Sequence, residues 1–272
     1  MNKSIPAAAV FTVVLALTLC AQTDLRRTMQ RAGGSVFYGP GGELISAKAT
    51  FSPPTSPIPV VAGAPFTAVE IGERVQIHAD GNRITRPISN SRIYRDSEGR
   101  VRTDQSPFPV QPTGKNASGL PIVPEIYDPV AGYQYFLDTA NQVAHRFSIP
   151  EFPDSILNRN PNLDADLPGA ETLGTREIEG LLVEGTRRTM TIPPGLMGNE
   201  KPIKNTTETW YSADLQLKVL SRTISSDMSE NISGFVKIDL VEPDPGLFKV
   251  PKGYTIVDET GPFIMTFSPS DH

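Results

Sequence analysis

Apolar and polar side chains alternate at every second residue through most of this 272-residue chain. Successive side chains of a β-strand point to opposite faces, so this alternation predicts strands with one apolar and one polar side. No long stretch carries the sustained periodicity of an amphipathic helix. We therefore predict a mainly β fold. In the clearest segment the predicted apolar side comprises Val69, Ile71, Val75, Ile77 and Ala79, and the polar side comprises Glu70, Arg74, Gln76 and His78.

Turn signals divide the alternating segments into two groups of strands. Residues 80–82 (Asp-Gly-Asn) and 179–180 (Glu-Gly) favour tight turns, because Gly and Asn tolerate the positive φ that such turns need. Residues 193–195 (Pro-Pro-Gly) end a long strand, since proline cannot donate to a sheet. The pattern predicts two antiparallel meanders, and the proline-containing stretches 106–124 and 150–168 predict irregular loops.

The first 21 residues are typical of a secretion signal. Lys3 supplies a positive charge, residues 7–19 form an uncharged apolar stretch, and Cys20 and Ala21 follow. The apolar stretch is shorter than the roughly 20 residues that span a bilayer, which favours a cleaved signal over a membrane anchor. We predict cleavage after Ala21 and a periplasmic or extracellular location. The alternative is acylation of Cys20, as in bacterial lipoproteins, although Leu19 stands where that motif has Gly, Ala or Ser.

Residues 22–65 predict a lead-in that precedes the folded domain. Helix-start signals after residue 22 favour a short helix that ends at the glycine pair 33–34. Six prolines between residues 39 and 65 favour an extended linker. The alternation begins after this stretch, so we predict one β-rich domain over residues 66–272.

Composition excludes several classes of function. The formal net charge is -5, whereas a protein that binds a phosphate backbone needs a basic surface, so we predict no nucleic-acid partner. Cys20 is the single cysteine, so a chain cleaved after residue 21 has no disulfide, thiolate nucleophile or cysteine metal site. Charged residues make up 20% and hydrophobic residues 38% of the chain, which is typical of a folded domain.

The chain contains few residues that acid–base or nucleophilic catalysis would use. His78, His145 and His272 are its three histidines, and it lacks the motifs of serine hydrolases, zinc proteases and P-loop proteins. We therefore predict a protein that is not an enzyme and that carries no cofactor. An exported enzyme is the less favoured alternative.

Residues 160–171 carry oxygen-bearing side chains at alternating positions, as calcium-binding loops do. However, Asn160 replaces the leading Asp of such a loop, and Ala165 stands where the loop needs Gly. We predict a polar loop without a metal ion, and leave calcium binding as the alternative.

Aromatic residues are the strongest candidates for a binding role. Tyr133 and Tyr135 share one side of a predicted strand, and Trp210 and Phe235 lie in the second meander. These four residues either form part of the core or line a groove for an apolar ligand. We take them as the candidate ligand-binding residues.

The C-terminal part of the chain contains two recognisable motifs. A Trp-Tyr-Ser-Ala-Asp-Leu run covers residues 210–215, and residues 248–254 read Phe-Lys-Val-Pro-Lys-Gly-Tyr. These residues resemble the last strands and the F-x-V-P-x-G-Y closure of the lipoprotein-carrier superfamily, which includes outer-membrane lipoprotein-sorting proteins. The resemblance implies a half-barrel, which is a curved antiparallel sheet whose concave face accepts acyl chains. Residues 79–83 and 94–100 also resemble a set of secreted bacterial proteins of uncharacterised function.

Together these observations predict an exported envelope protein that binds a lipid, a lipoprotein or another apolar ligand on the concave face of a β half-barrel. The alternative is a structural or regulatory envelope module whose sheet binds a protein partner.

Overall fold

The computed structural model describes residues 31–38, 44–55, 58–78, 80–108, 121–151, 167–226 and 229–268. The predicted signal peptide, Cys20, the predicted helix up to residue 30 and most of the acidic loop 160–171 lie outside these ranges. The last residues of the predicted helix, from Arg31 onward, belong to a strand. The described chain is built of strands, and it contains no helix with the length and hydropathy that a membrane crossing requires. The strands are β1 (Arg31–Tyr38), β2 (Leu44–Phe51), β3 (Phe66–Ile77), β4 (Arg83–Arg95), β5 (Val101–Gln105), β6 (Val123–Asp128), β7 (Tyr133–Asp138), β8 (Val143–Ser148), β9 (Ala170–Ile178), β10 (Leu181–Ile192), β11 (Ile203–Ser212), β12 (Leu217–Ser225), β13 (Ser229–Asp239), β14 (Thr255–Asp258) and β15 (Phe263–Phe267).

Twelve strands form one large sheet in the order β14-β8-β7-β6-β5-β4-β3-β13-β12-β11-β10-β9. Two hairpin-connected meanders, β3–β8 and β9–β13, meet where β3 pairs with β13. Every pair in this sheet is antiparallel except β14 with β8. The sheet is curved and does not close, which confirms the predicted mainly β half-barrel.

A separate three-stranded sheet has the order β1-β2-β15. Two of its strands lie in the stretch 22–65, for which the sequence predicted a short helix and a linker, so the structure differs from that prediction. The reason is that the prolines flank β2, while within β2 buried Ala47 and Ala49 alternate with exposed or half-buried residues. β2 pairs with β15 from Phe51 opposite Phe263 onward, and its apolar side is thereby buried.

Buried residues from both meanders form one apolar cluster, which we call the inner cluster. Strands β6 and β10 both contribute to it although they are seven places apart in the large sheet, so the sheet curls around the cluster. Burying an aliphatic or aromatic side chain contributes about 1.5–3 kcal/mol, and this cluster is the largest of the three in the described core. Its members are Ile58, Phe66, Ala68, Ile93, Val101, Tyr127, Leu181, Val183, Trp210, Leu215, Leu217, Val219 and Phe235.

The first half of β3 turns a different side to the core than the sequence predicted. Phe66, Ala68 and Glu70 are buried, whereas Val69 and Ile71 are half-buried. Glu70 pairs with Ser91 of β4, which is also buried, so a polar pair occupies positions on the core side. The alternation is therefore real, but its buried side is set by the neighbouring strands.

Two smaller clusters cover the β6–β8 end of the large sheet. The small-sheet cluster joins the three-stranded sheet to β6, β7 and β8, and the outer cluster comprises Ile126, Leu137 and Ala144 with Tyr135, Val250 and Tyr254 packed against it. This end of the sheet is thus covered on both faces. The small-sheet cluster comprises Ala47, Ala49, Phe51, Phe108, Val123, Phe136, Phe147, Phe263, Met265 and Phe267.

Candidate ligand-binding site

Trp210 occupies the β10–β11 side of the inner cluster. In the antiparallel register Trp210 pairs with Gly185, and its indole ring lies over the glycine. A Cβ atom at position 185 would lie 2.5 Å from Cζ3 of Trp210, so only glycine permits this contact. Two facing strands therefore position the indole ring.

A cation covers the exposed side of the Trp210 ring. The guanidinium carbon of Arg176 lies 3.7 Å from a Trp210 ring centroid, a cation–π contact. Arg176 is exposed and belongs to β9, which is an edge strand that pairs only with β10. A register shift in the β9–β10 pair falls beside Gly174, whose φ is 79°. The site therefore consists of an apolar cluster with a positive charge at its solvent boundary.

Phe235 lies deeper in the same cluster. Its ring meets Phe66 edge to face with a centroid distance of 6.3 Å, and the guanidinium carbon of Arg95 lies 4.7 Å from the centroid of the Phe66 ring. Arg95 also donates hydrogen bonds to the carbonyl oxygens of Ala64 at 2.8 Å and Leu215 at 2.7 Å. Burial lowers the pKa of Arg95 to about 10. The hydrogen bond to Leu215 therefore links the end of β4 to the turn between β11 and β12.

Tyr133 and Tyr135 lie elsewhere in the fold. Their ring centroids are 6.2 Å apart on β7, and Tyr135 packs against the outer cluster. The guanidinium carbon of Arg146 lies 4.4 Å from the Tyr133 ring centroid, and Arg146 also donates two hydrogen bonds to Asp258 at 2.6 and 2.9 Å. The structure thus brings Trp210 and Phe235 together and places the two tyrosines at a second location.

A buried polar group that the sequence did not indicate lies between the inner and small-sheet clusters. Glu125 of β6 is 1% exposed and accepts a hydrogen bond from the side-chain amide of Gln134. Burial raises the pKa of Glu125 to about 8, so its neutral form predominates at pH 7. Among the described residues neither Oε2 of Glu125 nor Oγ1 of Thr103, which pairs with Glu125 across β5 and β6, has a hydrogen-bond partner.

The two described histidines lie outside the inner cluster. His78 is exposed, while His145 Nδ1 lies 2.7 Å from Oε1 of Glu259 and its ring stacks on Phe263 at 4.0 Å. In the described ranges no three His, Cys, Asp or Glu side chains converge as metal ligands. His272 lies outside those ranges. These contacts give His145 a packing role.

A small cavity lies at the turn between β7 and β8. Its volume is about 20 Å³, and its lining includes Leu137, Asp138 and Phe267. A space of this size holds about one water molecule, whereas ligand sites typically measure about 300 Å³ or more. This cavity is therefore not the site of an apolar ligand.

Comparisons with known proteins give matches among solved structures. No family model and no curated protein matches the chain. It aligns with a chain of the Pseudomonas aeruginosa MucA/MucB complex at 14% identity and a TM-score of 0.37, covering 72% of this chain and 58% of that one. LprF from Mycobacterium bovis aligns at 10% identity and a TM-score of 0.31, with coverages of 67% and 90%. A LolA superfamily protein from Nitrosomonas europaea aligns at 6% identity and a TM-score of 0.27, with coverages of 70% and 91%.

Proposed function

We propose that this protein is an exported, non-enzymatic envelope protein that binds a lipid, a lipoprotein or another apolar ligand inside the curl of the large sheet. The observation that carries the proposal is the inner cluster, which is apolar, lies within an open sheet and has Trp210 near its boundary. The signal-like residues 1–21 support export.

The ligand that fits this arrangement has an apolar part and an acidic head. Its apolar part packs against Trp210 and the aliphatic side chains of the cluster, and its head binds the guanidinium of Arg176. Arg176 belongs to an edge strand and is exposed, so it can leave the indole ring without breaking the central pairs of the sheet. Its movement uncovers an aromatic face for the ligand.

Fluorescence titration tests this proposal directly, because Trp210 is the only tryptophan in the chain. We expect a fluorescent fatty acid to bind the purified protein and to quench the emission of Trp210. Arg176→Gln is expected to weaken binding of the acid about tenfold, as loss of one charge-assisted hydrogen bond does, but not to weaken binding of its neutral methyl ester.

Arg92→Gln is the matched control, since Arg92 is an exposed arginine of β4 outside the inner cluster. Its affinity for the fatty acid should equal that of the wild type. Failure of the wild-type protein to take up either probe, together with a mass spectrum that shows no co-purified lipid, would contradict lipid binding.

The second candidate function is binding of a protein partner. β9 forms one edge of the large sheet and is exposed along most of its length, so its outer backbone groups are available to pair with an extended peptide. Stoichiometric recovery of one envelope protein with the wild-type chain, and none with a variant carrying Thr175→Pro in β9, would favour this function over lipid binding.

A further inference from the structure

The hairpin that joins β10 to β11 ends in two exposed apolar side chains. Leu196 is 54% and Met197 is 66% exposed, and both lie in the turn formed by residues 193–202. Adjacent exposed apolar residues at the tip of a projecting hairpin typically mark an interaction surface, because water solvates them poorly.

Asn199 holds this turn in a defined conformation. Its side-chain amide donates hydrogen bonds to the carbonyl oxygens of Pro193 at 3.0 Å and Lys201 at 2.8 Å, and its Oδ1 accepts one from the backbone amide of Met197 at 3.1 Å. The backbone carbonyl of Asn199 also accepts a hydrogen bond from Gly195 at 2.7 Å. The exposed pair is therefore presented by an ordered turn.

The apolar surface continues from the turn onto one face of the strands. Ile192 pairs with Ile203 in the ladder, and Met190 lies two residues before Ile192, so all three share that face. Met190 is exposed and the two isoleucines are half-buried. The distal end of the hairpin thus carries five apolar side chains, which come from β10, the turn and β11.

Arginines lie on the same face as these apolar side chains, at positions farther from the turn. Arg188 lies two residues before Met190. Residues that pair from strand to strand across the sheet form what we call a row, and the row of Arg188 ends with Arg74 and Arg86. The three adjacent rows that begin at Thr186, Arg188 and Met190 hold no Asp or Glu from β10 to β4. Their other members are Thr209, Ser221, Ser233, Gly72, Ser89, Thr207, Thr223, Asn231, Asn205, Ser225, Ser229, Gln76 and Ile84.

The carboxylates directly beside these three rows, Glu73, Glu208 and Glu230, lie on the opposite face, whereas Glu184 and Glu70 share the face of the rows but lie farther from the tip. On the opposite face, Glu208 pairs with Arg187 at 2.7 Å, and Glu230 accepts a hydrogen bond from Arg222. Within the turn, Glu200 is next to Lys201, so these two charges offset each other. The part of this face that lies nearest the apolar tip is consequently positively charged.

We propose that this hairpin docks the protein on a membrane surface that contains anionic phospholipids. Leu196 and Met197 enter the interfacial region of the bilayer, and the row of Arg74, Arg86 and Arg188 meets lipid phosphates. Successive residues of a strand advance about 3.4 Å, so the arginine row lies roughly 14 Å behind Ile192, a separation that suits shallow insertion with the arginines at the headgroups. This inference does not depend on the bound ligand, because it rests on a different part of the sheet.

Co-sedimentation with vesicles of equal parts phosphatidylethanolamine and phosphatidylglycerol tests the proposal. The double variant L196S/M197S is expected to bind at least about tenfold more weakly than the wild type, because it removes the apolar side chains that insert. The matched control is L182S/V241S, whose native side chains are 66% and 69% exposed but lie away from the hairpin tip. The control variant should bind as the wild type does.

Two further measurements complete the test. R74Q/R86Q should lose affinity for the anionic vesicles and retain the weaker affinity for purely zwitterionic ones. In M197W the emission of the new tryptophan should shift to shorter wavelength, and brominated lipids should quench it beyond any quenching of Trp210 in the wild-type protein.

Three results would overturn membrane docking. The first is a wild-type protein that does not sediment with vesicles, and the second is equal affinity of L196S/M197S and its control. The third is a change from dimer to monomer in L196S/M197S at unchanged vesicle affinity, which would make the tip a contact between copies of the chain. Fatty-acid uptake by L196S/M197S, measured in the absence of vesicles, separates failure of docking from failure of ligand binding.

Discussion

At the scale of single residues, Gly185 determines where the only tryptophan lies. The sequence identified Trp210 as a candidate binding residue, but it did not identify the glycine beneath the ring, because cross-strand partners depend on register. Buried Glu125 was missed for a different reason. A carboxyl group is rarely buried, so no sequence pattern would have placed one between two apolar clusters.

Replacement of Gly185 by alanine should displace the indole ring. The new Cβ would lie 2.5 Å from the ring, so we expect a loss of about 1–3 kcal/mol in the free energy of unfolding and a red-shifted Trp210 emission. Urea unfolding followed by fluorescence measures both. Gly261→Ala is the control, since no atom lies within 4 Å of a Cβ at that position. An unchanged spectrum in the Gly185 variant would show that the ring does not depend on this contact.

Glu125 should make the fold less stable as pH rises. Its pKa is raised from 4.5 to about 8, so between these values the folded state holds a proton that the unfolded state releases. The contribution of Glu125 to stability is therefore greatest below about pH 4.5 and decreases by up to about 1.4 kcal/mol per pH unit until about pH 8.

Glu125→Gln keeps a side-chain oxygen that can accept the hydrogen bond from Gln134, and it removes the titratable carboxyl group. In denaturant unfolding at a series of pH values, the stability difference between this variant and the wild type should grow with pH and level off above pH 8. Glu177→Gln, at an exposed position of β9, should leave the wild-type pH profile in place. Parallel profiles for the Glu125 variant and the wild type would contradict a buried, neutral carboxyl.

At the scale of elements, most strands of the two meanders could be predicted, whereas β1 and β2 could not. The meander strands carry alternating patterns bounded by turn residues, and both signals are local. β2 contains an equally good alternation of Ala47, Ala49 and Phe51 with exposed or half-buried residues. Prolines on both sides of this strand nevertheless led to the prediction of an extended linker. Its partner β15 is near the other end of the sequence, so no local signal links the two strands.

Phe263 of β15 should be the side chain that most strongly attaches the small sheet to the large one. Its ring contacts Phe51, Phe136, Phe147 and His145 with centroid distances between 4.0 and 6.0 Å. We expect Phe263→Ala to lower the free energy of unfolding by about 3–5 kcal/mol.

Ile264→Ala on the same strand is the control, because Ile264 is 64% exposed and should change stability by less than about 0.5 kcal/mol. Urea denaturation of both variants measures the difference. Equal stability of the two variants would mean that β15 does not hold the small sheet in place.

At the scale of the whole molecule, the class of fold and its curvature could be predicted from the sequence, but the pairing between the two meanders could not. Alternation predicts strands, and the C-terminal motif resembles half-barrel proteins, so a curved sheet was expected. The seam between the two meanders, where β3 pairs with β13, joins residues about 160 positions apart, such as Val69 with Val236. Contacts of this range are fixed by packing of the complete chain. The inner cluster depends on that seam, which is why Trp210 and Phe235 came together and the tyrosines did not.

The pairing of Phe51 with Phe263 has a consequence for the order of assembly. Ribosomes deliver a chain from its N-terminus, yet β2 cannot complete its ladder until β15 has emerged more than 200 residues later. The third strand of the small sheet is thus absent until the chain is almost complete. A chain with this connectivity can complete its small sheet only after nearly all of its residues have been synthesised.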